Sequence, residues 1–103
     1  MIETVTRKRI EVLIDRPLAV RLVEAAAEAG VSGYTLIPVQ SGSGRHGAWR
    51  NDPVSGAEAK TIFLTIASEA KAERLVELLA PYLDTYGMLL TVSDVQVIRG
   101  ERF

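Results

Sequence analysis

Apolar residues alternate with polar ones through Arg9-Ile10-Glu11-Val12-Leu13-Ile14, and the β-branched residues at 10, 12 and 14 predict a first strand. Asp15 comes next as a candidate helix N-cap, and Pro17 falls in the first turn, where its missing N–H is no loss. Leu18, Leu22, Ala25 or Ala26 and Ala29 then recur at helical spacing. They predict an amphipathic helix over roughly 17–29, stopped by Gly30, with small residues that let it lie close on a sheet. Tyr34-Thr35-Leu36-Ile37-Pro38-Val39-Gln40 reads as a second strand. Pro38 predicts an edge position or a bulge there, because proline donates nothing to a ladder. From Ser41 to Ala57 the pattern dissolves into Gly42, Gly44, Gly47, Gly56 and the polar residues between them. A loop of about seventeen residues is expected, a length that compact domains seldom carry without a use for it. Periodicity resumes in Lys60–Ala67, a third strand, with Ser68 as the cap of a second helix. Ala72, Leu75, Val76, Leu79 and Leu83 line one side of that helix, which is interrupted by Pro81 and broken by Gly87. Met88–Val92 and Val95–Ile98 predict two last strands, parted by Ser93-Asp94.

The order β-α-β-loop-β-α-β-β is that of an α+β, ferredoxin-like βαββαβ domain with an extra C-terminal strand, spanning 1–103 as one unit. Right-handed crossovers put both helices on one face of an antiparallel sheet. Ile62, Leu64 and Ile66 alternate with Thr61, Phe63 and Thr65, so the other face is apolar too. A chain of 103 residues cannot cover that face itself, which predicts a symmetric oligomer.

Composition narrows the chemistry. Hydrophobic residues at 48% exclude a disordered chain, and 12 basic against 13 acidic residues leave no basic excess for nucleic acid. With no cysteine there is no disulfide, thiolate metal site or cysteine nucleophile, and one histidine excludes any site needing two. No apolar run approaches the ~20 residues of a membrane span, and the opening residues, with Glu3 and no apolar core segment, do not read as a signal peptide. A cytoplasmic domain that binds rather than catalyses is expected.

The segment Ser41–Arg45 has the composition of an anion cradle: glycines let successive backbone N–H groups converge, and Ser43 and Arg45 add side-chain donors. A flexible glycine-rich connector is the plainer reading. The spacing is not that of a P-loop. His46 has only Asp52 and Glu58 as nearby carboxylates, so no metal site is expected. Trp49, the single tryptophan, lies in the loop as an anchor for a partner protein or a contact within its own assembly. Arg7-Lys8-Arg9 reads as a solvated basic run.

Gly30-Val31-Ser32-Gly33-Tyr34-Thr35-Leu36, followed by Gly42-Ser43-Gly44-Arg45, resembles the start of the PII signal-transduction superfamily, in which a Gly-x-Gly-Arg turn opens a long T-loop. The ending Val97-Ile98-Arg99-Gly100-Glu101 resembles that superfamily's C-terminal region. Trp49, Arg50, Asn51 and Asp52 stand where typical members carry a tyrosine-bearing modification motif. Thr85-Tyr86-Gly87-Met88 replaces their glycine- and lysine-rich ATP clasp. Both departures point away from ATP, 2-oxoglutarate and uridylylation. Tyr86-Gly87 and Val97–Phe103 are similar instead to the PII-like branch linked to bicarbonate transport and carboxysomes.

That resemblance implies a homotrimer binding ADP or AMP between subunits and sensing bicarbonate through a T-loop at about 41–57. It implies that Thr35 meets the adenine edge, Gly42, Ser43, Gly44 and Arg45 hold phosphates, and Gly87 and Met88 approach the base or ribose; the plainer readings are a strand threonine at 35 and a helix stop at Gly87. Arg99 and Arg102 would reach phosphates held by a neighbour's loop; their plainer reading is solvated terminal charge. Arg45 and Arg50 are the candidates for bicarbonate. The implied partner is a bicarbonate transporter or a carboxysome-associated protein, with no nucleic acid, no membrane insertion and no catalysis. Two alternatives stay open: a small nucleotide-hydrolysing enzyme, for which no nucleophile–base signature is present, and a ligand-free ferredoxin-like assembly module.

Overall fold

The structure is a computed structural model that describes residues 2–44, 47–50 and 59–98, with the backbone alone at 49 and 50. Its elements are β1 (Thr4–Asp15), α1 (Ala19–Ala29), β2 (Thr35–Val39), β3 (Ser41–Gly44), β4 (Gly47–Arg50), β5 (Lys60–Ala67), α2 (Glu69–Leu79) and β6 (Leu89–Ile98). Four strands form an antiparallel sheet in the order β2-β5-β1-β6, while β3 and β4 make a separate hairpin. β1 and β2 therefore run parallel on either side of β5, and β5 and β6 on either side of β1, each pair joined by a helix. This is the expected α+β, ferredoxin-like arrangement.

The core lies between the sheet and the two helices. Ile10, Val12 and Ile14 from β1 and Phe63 from β5 meet Leu22 and Ala26 of α1 and Leu75 and Leu79 of α2. Helical spacing predicted these helix positions, and burial of such side chains contributes ~1.5–3 kcal/mol each. On β5 it is Thr61, Phe63, Thr65 and Ala67 that turn toward the helices. The two buried hydroxyls are satisfied: Thr61 donates to the carbonyl of Ile37 at 3.1 Å and Thr65 to that of Gly33. Pro38, opposite Thr61, sits on the edge strand β2 as its missing donor requires.

Ile62, Leu64 and Ile66 face away from the helices and are only half-buried. Cross-strand register lines up Ile37, Ile62, Leu13 and Leu89 as one apolar row on that uncovered face, with Leu89 60% exposed. A charged pair, Arg9 to Glu11 at 2.6 Å, is set beside it.

Several boundaries differ from the sequence pattern, each for a local reason. β1 starts at Thr4 rather than Arg9, because Thr4–Lys8 pair with Asp94–Ile98 of β6. Asp15 caps nothing with its side chain; it accepts from Lys60 Nζ at 2.7 Å, its register partner on β5. Arg16–Leu18 forms a single 3-10 turn around Pro17, and α1 starts at Ala19. α2 ends at Leu79 and passes into a 3-10 turn at Ala80–Tyr82, because Pro81 cannot supply the next helical donor. The break expected at Ser93-Asp94 is absent: β6 pairs with β1 continuously from Leu89 to Ile98, so the extra C-terminal strand is the distal half of β6. Ser93 opposes Arg9, and Asp94 meets Lys8 in an ion pair, so two polar residues fit where the ribbon projects past the core. Finally, the first part of the expected loop is the β3–β4 hairpin, with Ser41 opposite Arg50 and Gly44 opposite Gly47. Residues 51–58 lie outside the described residues.

The other punctuation is as expected. Ser68 accepts from the N–H of Lys71 at 3.4 Å, and Gly30, at φ +83°, turns the chain out of α1 while Val31 N–H returns to the Ala26 carbonyl at 2.9 Å. Among the described residues no helix is long and apolar enough to cross a membrane.

Candidate functional site

Register decides which candidate residues share a neighbourhood. Val39, Lys60 and Asp15 form one cross-strand row, and Leu89 lies two residues further in, opposite Leu13. The exit of β2, the entry to β5 and the entry to β6 therefore occupy the same end of the sheet. Ser41, Gly42, Ser43 and Gly44 continue from β2 there, and Gly87 and Met88 lead into β6 there. Thr35, four residues before Val39, is exposed and aligns with Leu64, Glu11 and Thr91 on the face away from the helices. Tyr34 beside it stacks on buried Phe63, with ring centroids 5.5 Å apart and planes 17° from parallel, which pins the entry to β2 to the core.

These groups share an end but not an edge. β2 and β6 are the two outer strands, separated by β5 and β1. Three inter-strand spacings amount to ~14 Å. Thr35 and the Gly87–Met88 turn thus stand on opposite edges of one copy.

The far end differs. Ile98 pairs with Thr4, nine residues along β6 from Leu89, or ~30 Å of strand. The chain leaves toward Arg99 and Arg102 from that end. Arg99 and Arg102 themselves, Arg45 and His46, and the side chains of Trp49 and Arg50, lie outside the described residues. The electrostatics at the far end centre on Lys8, whose pKa is raised chiefly by its hydrogen bond to the Asp94 carboxylate, then by that carboxylate's charge, with Glu69 and Glu73 adding to it.

The backbone of the glycine-rich segment is extended. In a strand, successive N–H groups point to opposite sides, so Ser41–Gly44 does not by itself gather converging donors. Left-handed backbone occurs instead at Gly47, φ +105°, and at Gly87, φ +60°. Among the described residues no group of three or more His, Asp or Glu could hold a metal ion.

A feature that hydrophobic periodicity did not single out adjoins Met88. Between the end of α2 and α1 runs an open groove of about 210 Å³, lined by Arg21, Glu24, Glu28, Tyr82, Tyr86 and Met88 among others. Tyr82 and Tyr86 stack at 5.7 Å, and the Arg21 guanidinium stands 5.2 Å from the centre of the Tyr86 ring. The i, i+4 tyrosine pair was the available sequence signal; it falls after Pro81, where helical spacing no longer applied.

Comparison with known proteins agrees with this architecture. No curated protein matches the chain in sequence. Among solved structures, CPII from Thiomonas intermedia K12, a nitrogen regulatory PII-like protein bound to ADP, AMP and bicarbonate, is 25% identical, with 93% of this chain and 99% of that one covered at a TM-score of 0.80. A putative PII-like signalling protein from Thermus thermophilus is 28% identical, with 98% of each chain covered at a TM-score of 0.83. GlnK from B. subtilis, solved as an ATP complex, shares the fold at 14% identity and a TM-score of 0.62, with 87% and 82% covered. The family described as nitrogen regulatory protein P-II matches residues 7–102. With nearly its whole length inside that match, on a ferredoxin-like sheet whose loops gather at one end, the chain belongs to the nitrogen regulatory protein P-II family.

Proposed function

We propose that this chain is a PII-like regulatory protein that binds ADP or AMP in clefts between the subunits of a trimer and senses bicarbonate through the segment 41–57, which it presents to a partner. The observation that carries this reading is the placement of Ser41–Gly44, which continues from β2, and Gly87–Met88, which leads into β6, at one end but on opposite edges of the sheet, with Thr35 further along the β2 edge. Three copies arranged edge to edge would bring one copy's Thr35 and Ser41–Gly44 against the next copy's Gly87–Met88. With the three sheets turned so that their apolar faces look inward, the row of Ile37, Ile62, Leu13 and Leu89 would be covered as well. The similarity to CPII, described as bound to ADP, AMP and bicarbonate, supports the ligand class.

Within this reading Thr35 meets the adenine, Gly42, Ser43, Gly44 and Arg45 meet the phosphates, Arg99 and Arg102 approach from a neighbour, and Arg45 and Arg50 hold bicarbonate. Trp49 is the anchor for the partner, a bicarbonate transporter or carboxysome-associated protein in the cytoplasm. Regulation then arises from linkage: a nucleotide and bicarbonate that favour the same loop conformation raise each other's affinity, and the ordered loop alters what Trp49 offers.

Calorimetric titration of AMP, ADP, ATP and cyclic AMP, each with and without bicarbonate, tests this. Tighter ADP or AMP binding in bicarbonate is expected. No heat with any nucleotide would leave an assembly module that shares only the fold, and release of phosphate or AMP from incubated nucleotide would make the chain an enzyme instead.

A further inference from the structure

We propose that Arg21 and Tyr86 form a clasp that positions the Gly87–Met88 turn for its nucleotide, so that Arg21, on the helix face of the molecule, is a positioning residue for a site at the end of the sheet. This rests on the reading of Gly87 and Met88 as nucleotide contacts. Between Tyr82 and Leu89 the chain has left the 3-10 turn that follows α2 and not yet joined the sheet, so neither a helix nor a ladder holds it. Its backbone ties are uneven. Tyr86 N–H donates to the Tyr82 carbonyl and Met88 N–H to that of Leu83, both at 3.0 Å, but Leu83 to Ala80 is 3.4 Å and Gly87 to Asp84 is 3.3 Å.

Side chains supply the remaining constraint. The Tyr86 ring stacks on Tyr82, and the Arg21 guanidinium lies 5.2 Å from the ring centre, inside the ~6 Å range of a cation–π contact. Arg21 is anchored as Tyr86 is not, because the adjacent Leu22 is completely buried and fixes that turn of α1 against the core. Tyr86 immediately precedes Gly87, whose left-handed backbone reverses the chain, and Met88 returns to the same groove that Arg21 lines. The Tyr86 Cα is bonded into the peptide unit that carries the Gly87 N–H, so holding the ring in place restrains where the turn starts. A guanidinium on α1 therefore limits how far the turn departs from the pose that meets a ligand.

The test is ADP titration of the wild type, Arg21→Ala, Arg21→Lys, Tyr86→Phe, Tyr86→Leu and the double variant Arg21→Ala/Tyr86→Leu, with urea unfolding in parallel to establish that each is folded. Loss of an exposed cation–π contact should raise the ADP Kd about two- to five-fold in Arg21→Ala. Arg21→Lys and Tyr86→Phe, which keep a cation and a ring, should stay within a factor of about two of wild type. The double variant should bind no more weakly than Tyr86→Leu, since the two residues act through one contact. A role confined to stability would move the urea midpoint without this pattern in Kd. Wild-type binding with an unaltered Kd in Arg21→Ala, or penalties that multiply in the double variant, overturns the clasp alone. If Tyr86→Leu does not fold, loss in Arg21→Ala with recovery in Arg21→Lys decides the matter. A wild-type chain that takes no ADP overturns the clasp together with the proposed function.

Discussion

Two glycine-marked connections reach the same end of the sheet, and they are built in opposite ways. Ser41–Gly44 and Gly47–Arg50 form a hairpin whose first strand carries no side chain larger than serine, so in that strand only ladder hydrogen bonds hold its shape. The Leu83–Met88 turn joins no ladder, and its four turn hydrogen bonds are supplemented by rings: Tyr86 on Tyr82, with Arg21 above. A segment held by backbone bonds alone exchanges them for bonds to water or ligand at little net cost. One held by side chains as well moves only when those contacts also break. The Ser41–Gly44 strand is thus the part suited to changing conformation, and the turn the part suited to presenting a constant surface.

The largest effect is expected where both connections share a foundation. Phe63 is fully buried, sits under Tyr34 at the entry to β2, and joins the same core as Leu79 at the end of α2. Phe63→Ala should lower stability by ~3–5 kcal/mol, read as a fall in the urea midpoint. A loss near 1 kcal/mol would mean that the core collapses into the space and that the turn and the hairpin do not rest on it.

A second comparison separates a glycine that needs its backbone from one that does not. An added Cβ meets nothing within 4 Å at either Gly87 or Gly33, but only Gly87 has a left-handed φ, +60°. Gly87→Ala should therefore destabilise by ~1–2 kcal/mol through backbone strain alone. Gly33→Ala should be neutral or stabilising by ~0.4–1 kcal/mol through a less flexible unfolded chain. Equal thermal shifts in the two variants would show that the turn is not held in the left-handed conformation.

The smallest effect lies at the far end. The Lys8 pKa is raised by Asp94, so the ammonium is favoured in the folded chain and its contribution is fully present below the ordinary lysine pKa of ~10.4. As pH rises through the elevated folded value, that contribution is lost. Stability should decline in this alkaline window, and the decline should be shallower in Asp94→Asn, measured by urea unfolding across pH 9–12. Identical slopes would show that the pair does not couple to folding.

Much of the fold was legible from pattern because it obeys local rules. Ile10, Val12 and Ile14 had to face one way in any strand, Leu75 and Leu79 one way in any helix, and Pro38 had to sit at an edge. The misjudged places were those where a partner far along the chain overrode the local signal. Ser93-Asp94 reads as a turn until Lys8 and Arg9 stand opposite, and Asp15 reads as a cap until Lys60 is beside it. The Gly-Ser segment reads as a loop because its residues have poor strand propensity, yet pairing with 47–50 extends it. For the candidate site, glycine positions were readable in sequence, whereas the tyrosine and arginine that support Gly87 were not, since α1 and the end of α2 meet only after folding.

Hydrophobic period and glycine placement, which act over a few residues, determined by themselves the two helices, the strands of the main sheet and their order, while short motifs such as Gly30–Leu36 and Gly42–Arg45 carried the family resemblance. Tertiary structure decided which alternating set on β5 became core: Thr61, Phe63 and Thr65 rather than the more apolar Ile62, Leu64 and Ile66. The reason is coverage. The two helices pack where the Thr61 and Thr65 hydroxyls find carbonyl acceptors on β2 and its approach, and Phe63 fills the space between them. The isoleucines and leucine are left on the opposite face, where no element of the described chain reaches them.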